Sequence, residues 1–193
     1  MKAVCVFCAS STGRRPAYAR AAGALASAAV ARDLTVVYGG ASVGLMGAVA
    51  DEALAAGGRV VGVIPQALVD REIAHPGLTE QHVVGTMHER KARMYDLSDG
   101  VVALPGGFGT LDELFEALTW TQLGLHAKPV GLLDVEGWWQ PLLAYLDRAV
   151  DDGLLHPRNR ELVLVDDDPG ALLDRMAAWR PVAVEKWVDR GDR

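Results

Sequence analysis

The chain has 193 residues, of which 50% are hydrophobic, 23% charged and 6% aromatic. That is enough apolar material for one domain to bury a substantial core without metals or disulfides, and the ordinary composition excludes a disordered chain. A formal net charge of −6 with no Lys/Arg run argues against nucleic-acid binding, while leaving room for a small anionic ligand held by a local cationic site.

Residues 2–8, KAVCVFC, read as a first buried strand. One lysine ahead of so short an apolar run does not make a secretory leader, and no stretch approaches membrane-spanning length. A cytoplasmic protein with no membrane association is expected. Cys5 and Cys8 stand in a C-x-x-C spacing without a second Cys pair or a His set. Three residues apart on a strand they point to opposite faces, so neither a metal nor a disulfide is expected.

A helical period over 17–31 precedes a second strand at 34–40, and another over 43–56 precedes a third at 59–65. Residues 66–79 keep no steady period and read as a loop with at most one helical turn, followed by a weakly marked strand at 81–85. Helices over 87–97 and 110–123 flank a strand at 100–107. Strands at 128–134 and 161–167 alternate with helices at 140–151 and 170–179. Continuous apolarity within the strands means cover on both faces. The pattern therefore predicts an α/β domain over 1–180, with six or seven mostly parallel strands, helices on both faces and a polar tail over 181–193.

Three loops rich in small residues, CASSTG (8–13), YGGASVGLMG (38–47) and LPGGFGTLDE (104–113), follow strands of this sheet. Ligands of open α/β sheets bind outside the carboxyl ends of the strands, so the three rims would converge on a nucleotide-sized anion site. No Walker lysine motif occurs, and Ser42 breaks the spacing of a dinucleotide fingerprint. In the third loop, Gly106, Gly107 and Gly109 permit positive φ and close backbone approach, and Thr110 opens a helix whose free amides favour a monophosphate. The same residues, Thr110 to Glu113, also satisfy a capping box, with the glycines serving a plain turn; the local pattern leaves both uses open. Leu111, Leu114, Phe115 and Leu118 form the apolar stripe of this helix, turning Glu113 and Glu116 to another side. Arg90 and Lys91, in MHERKARM, are either a solvated basic face or a cation pair for the ligand.

MHERK (87–91) and PGGFGTLDE (105–113), in this order and separation, resemble the two signature motifs of the LOG ("lonely guy") family of cytokinin riboside 5′-monophosphate phosphoribohydrolases. The likeness continues through FCASS, YGGASVGLMG, GVIP, ALTWTQLG and KPVGLLD, over roughly residues 4–176. It implies a single Rossmann-like domain, usually a homodimer, that cleaves a nucleoside 5′-monophosphate to free base and ribose 5-phosphate with neither cofactor nor metal. The family's catalytic arginine and glutamate fall on Arg90 and Glu113. Its substrate-binding positions fall on Glu72, Arg90, Lys91, Gly107, Phe108, Gly109, Thr110, Leu111, Asp112, Glu113 and Thr119. Ala9 and Ala41 stand where the commoner pattern has glycine, which weakens what the first two loops contribute. A nucleotide sensor or carrier would keep the same phosphate loop. A lysine decarboxylase, a label attached to some relatives, would need a pyridoxal-phosphate lysine among Lys2, Lys91, Lys128 and Lys186, none of which has the context for it.

Overall fold

The run AVCVF forms strand β1, Ala3–Phe7, and is buried along its whole length. Val4 and Val6 pack into one apolar cluster, while Ala3, Cys5 and Phe7 pack into another on the opposite face. In a pleated strand, alternate side chains need two separate cores, which is why the run is apolar throughout. Cys5 and Cys8 fall into different clusters and both are free thiols.

The computed structural model describes residues 1–71 and 73–181. The remaining strands are β2 Thr35–Tyr38, β3 Val60–Pro65, β4 Glu80–Val84, β5 Gly100–Ala103, β6 Val130–Leu133 and β7 Val163–Asp166. The α-helices are α1 Pro16–Val30, α2 Gly44–Ala55, α3 Gln66–Val69, α4 Met87–Asp96, α5 Phe108–Gln122, α6 Gln140–Asp151, α7 Pro157–Arg160 and α8 Pro169–Ala178. The weakly marked strand is real and becomes the edge strand β4, where only one neighbour is required and the alternating run EQHVV suffices. The one-turn helices α3 and α7 are too short to leave a period in the sequence. Of the expected polar tail, all but Pro181 lies outside the described residues.

The seven strands form one sheet in the order β4-β3-β2-β1-β5-β6-β7. Every pair is parallel rather than most of them. α1, α2 and α8 supply the first cluster and α4, α5 and α6 the second, so helices cover both faces. From β1 the chain steps outward through β2, β3 and β4, then returns to the other side of β1 as β5. That reversal splays the loops after β1 and β5 apart and opens a crevice at the carboxyl ends of the two strands. Among the described residues no helix is long and apolar enough to cross a membrane.

Candidate active site

A cavity of about 380 Å³ fills that crevice. All three small-residue loops reach it: Cys8 to Ser11 after β1, Gly39 and Met46 from the second loop, and Gly107 to Thr110 after β5. The backbone locks the rims together. Ala9 N–H donates to the Pro105 carbonyl at 3.2 Å, and the Ala9 carbonyl accepts from Leu45 N–H at 3.1 Å. Ala41 is buried and bridges to Ala74. Both alanines are thus absorbed into the scaffold of the loops.

Arg90 enters from α4 and is buried. Its Nε donates to the Val63 carbonyl at 3.1 Å, Nη2 to the Gly39 carbonyl at 3.4 Å and Nη1 to the Glu113 carboxylate at 3.3 Å. The carbonyls of Gly39, just after β2, and Val63, within β3, therefore hold the guanidinium as a fixed fork. Gly39 is required here, because a Cβ would lie 1.9 Å from Nη2. A solvated basic face is excluded by this burial. No sequence signal pointed to the Val63 carbonyl; the YGG run marked Gly39 only as part of a loop.

Helix α5 begins at Phe108, two residues earlier than expected, with Gly107 as an N-cap that offers no side chain. The first intrahelical bond is Leu111 N–H to the Gly107 carbonyl at 3.0 Å. The amides before it have no helical acceptor and sit with the positive end of the helix dipole at the cavity. Thr110 is consequently inside the first turn, and the capping box is not how Glu113 is used: its carboxylate turns to Arg90. The positive φ that Gly106, Gly107 and Gly109 permit is not used. Left-handed glycines in this region are Gly40 and Gly44 in the second loop. Gly106 is needed for packing, since a Cβ would lie 2.0 Å from Thr110 Oγ1, whereas Gly107 and Gly109 face open space.

Within α5 Glu113 points inward. Thr110, Glu113, Leu114 and Ala117 are buried, while Phe115, expected in the apolar stripe, is 37% exposed. Burial pushes the Glu113 carboxyl up to about 7, against the pull of Arg90. The Tyr95 hydroxyl, buried on α4, donates to the Glu113 backbone carbonyl at 2.9 Å and fixes α5 against α4.

Of the positions implied by the resemblance, Arg90, Gly107, Phe108, Gly109, Thr110 and Glu113 line this one cavity. Leu111, Asp112 and Thr119 line a separate concavity along the outer face of α5. Lys91 is buried, with Nζ 3.0 Å from Asp112 and 3.1 Å from Glu116. Glu72 lies outside the described residues. Met46 of the second loop, Leu68 and Met94 complete the wall; for Leu68 and Met94 the sequence carried no signal.

The family model described as "Possible lysine decarboxylase" matches residues 46–176. The cytokinin riboside 5′-monophosphate phosphoribohydrolase LOG5 of Arabidopsis thaliana is 49% identical over 94% of this chain and 79% of its own. The chain belongs to the LOG family. A second LOG relative, the probable phosphoribohydrolase LOGL9 of Oryza sativa subsp. japonica, is 49% identical over 93% of this chain and 79% of its own. Among solved structures, the molybdenum cofactor carrier protein of Chlamydomonas reinhardtii has a TM-score of 0.70 at 23% identity, covering 92% of this chain and 98% of the other. That likeness shows the Rossmann-like LOG fold alone. Among the described residues no lysine lines the cavity.

Proposed function

We propose that this LOG protein hydrolyses the N-glycosidic bond of an adenosine 5′-monophosphate, plain or N6-modified, to the free base and ribose 5-phosphate. The observation that carries the reading is the buried Arg90–Glu113 pair opening onto the same cavity as the uncapped N-terminus of α5. Its volume of about 380 Å³ suits one small nucleotide. The names of the LOG relatives support the reaction.

The phosphate rests on the amides of Gly107 to Thr110, and binding there positions the sugar. Glu113, about one helical turn further along, faces C1′ as a carboxylate. As the C1′–N bond breaks, its electrons leave with the base and positive charge grows on the sugar. Glu113 stabilises that charge and takes a proton from the water whose oxygen bonds to C1′. Arg90, a permanent cation, stabilises the departing base or fixes the ribose; the base takes its proton from solvent. Glu72, Lys91, Leu111, Asp112 and Thr119 enter as substrate-binding positions through the resemblance alone. No cofactor or metal enters these steps.

The same reading includes a cytoplasmic homodimer with no nucleic-acid partner. Phe108 is 95% exposed, Leu123 62% and Leu125 67%, and with Phe115 they give α5 and the loop after it an apolar outer surface, which supports self-association there.

The test is to incubate the protein with AMP, adenosine, GMP, CMP and isopentenyladenosine monophosphate and to chromatograph the released base. Adenine-type monophosphates are cleaved and adenosine is not. Equal rates for adenosine and AMP would remove the phosphate cradle. AMP binding without product would make the protein a carrier or sensor. Comparable kinetics for AMP and its prenylated form would count against a hormone-specific role.

A further inference from the structure

His75 lies in the segment between α3 and β4, with its side chain only 8% exposed. Its Nδ1 accepts from Gly77 N–H at 3.1 Å, and its Nε2 stands 2.9 Å from Asp51 Oδ1 on α2. The accepting Nδ1 puts the ring proton on Nε2, so the imidazole donates to the carboxylate. Asp51 is 73% exposed and does not line the cavity. Three backbone bonds run beside this contact: Ser42 N–H donates to the Ile73 carbonyl at 2.9 Å, His75 N–H to the Gly40 carbonyl at 2.9 Å, and Ile73 N–H to the Leu68 carbonyl at 3.3 Å. The Ser42 hydroxyl adds a second donor to Ile73 at 3.1 Å. Residues 73–75 are thereby laid antiparallel on the second small-residue loop, and Leu68, at the end of this chain of bonds, is part of the cavity wall.

We infer that His75 is a positioning residue: through Asp51 it latches the segment after α3 to α2 and the second loop, and so sets the Leu68 wall against which the nucleotide binds. This rests on the proposed hydrolase reading for its consequence in catalysis. A two-stranded contact this short is marginal in water by itself. The buried ring, with both nitrogens paired, gives the segment its fixed register. Without an acceptor at Asp51 the buried Nε2–H loses its partner, a penalty that favours release of the segment. Gly40, left-handed at φ 74°, gives its carbonyl to His75, while the carbonyl of Gly39 beside it holds Arg90. One loop therefore serves both the latch and the guanidinium. Arg90 keeps Val63 and Glu113 as further partners, so loss of the latch falls on binding and leaves the bond-breaking step in place. Glu72, a substrate-binding position through the resemblance, directly precedes the latched residues in the chain.

The experiment pairs amide hydrogen exchange in the nucleotide-free protein with the kinetics of adenine release from AMP. The variants are Asp51→Ala, Asp51→Asn, His75→Asn and the combination of Asp51→Ala with His75→Asn. Asp51→Ala, at an exposed position, should fold and should quicken exchange of the Ser42 and His75 amides about fivefold or more, the effect of one lost hydrogen bond. KM for AMP should rise by about the same factor with kcat within about twofold of wild type. Asp51→Asn keeps an oxygen acceptor and should stay within about twofold of wild type in every readout. His75→Asn keeps an acceptor near the place of Nδ1 but cannot reach Asp51, and the combined variant should be no worse than the weaker of the two single ones. Unmoved exchange in Asp51→Ala overturns the inference, as do additive losses in the combined variant, a loss carried by kcat alone, or quickened exchange at a wild-type KM. If exchange responds as expected while wild-type protein releases no adenine, the hydrolase reading falls and the latch stands, its effect then appearing as an about fivefold weaker Kd for AMP in equilibrium dialysis.

Discussion

Gly39 leaves the space that the Arg90 guanidinium occupies: a methyl at this position would lie 1.9 Å from Nη2 and 3.0 Å from the Met46 sulphur. The small residue just after β2 thereby fixes where the cation of the Arg90–Glu113 pair can stand. Its φ is not left-handed, so alanine carries no backbone strain and tests the contact alone. Gly39→Ala should fold, displace the guanidinium and lower kcat/KM for AMP by about a hundredfold, as expected when a catalytic group moves by an ångström. Wild-type kinetics in this variant would show that the position of Arg90 is immaterial.

On the proposed mechanism, the raised Glu113 carboxyl sets the pH dependence of turnover. If the ionised form works, kcat/KM rises with pH and levels off above about 7. Glu113→Gln should lose at least a hundredfold in rate and show no limb near this pH. A limb that survives the substitution would belong to another group.

The same shift acts on stability, with the opposite sense. The native protein holds the Glu113 proton up to about 7, whereas the unfolded chain releases it near 4.5. Between these values the folded state binds more protons, so the contribution of Glu113 to stability is full below the lower value and is lost as pH rises through the upper. The swing is roughly 3 kcal/mol. Urea unfolding at pH 5 and pH 8 should show a smaller drop in Glu113→Gln than in wild type. Equal drops would place the carboxyl at its ordinary value.

The apolar outer face of α5 predicts self-association. Light scattering on the eluted protein should report a dimer, and a charge at an exposed position of that surface, Leu125→Asp, should shift it to monomer. A wild-type monomer would remove the interface, and a dimer that survives the substitution would move it elsewhere.

Much of this was legible before the structure. The alternation of β1 between two clusters appears in the sequence as unbroken apolarity, and the three small-residue loops do meet at one crevice. What escaped has physical causes. The start of α5 was misjudged because Thr110 is a good N-cap residue and Gly107 a silent one; separately, the apolar stripe included Phe115, which is exposed, and left out Glu113, which is buried. Burial of Arg90 and Lys91 depends on acceptors from β2, β3 and α5, which no local pattern in MHERKARM contains. Met46, Leu68 and Met94 become neighbours only through the crossovers.

The central claim is that Arg90 and Glu113 break the bond between base and phosphorylated sugar. Its most direct test is quantitative chromatography of AMP incubated with wild-type protein and with Glu113→Gln. Wild type should yield adenine and ribose 5-phosphate in equal amounts, and Glu113→Gln at most about a hundredth of that rate. Release of adenosine and free phosphate, or AMP recovered intact from the wild-type reaction, would contradict it.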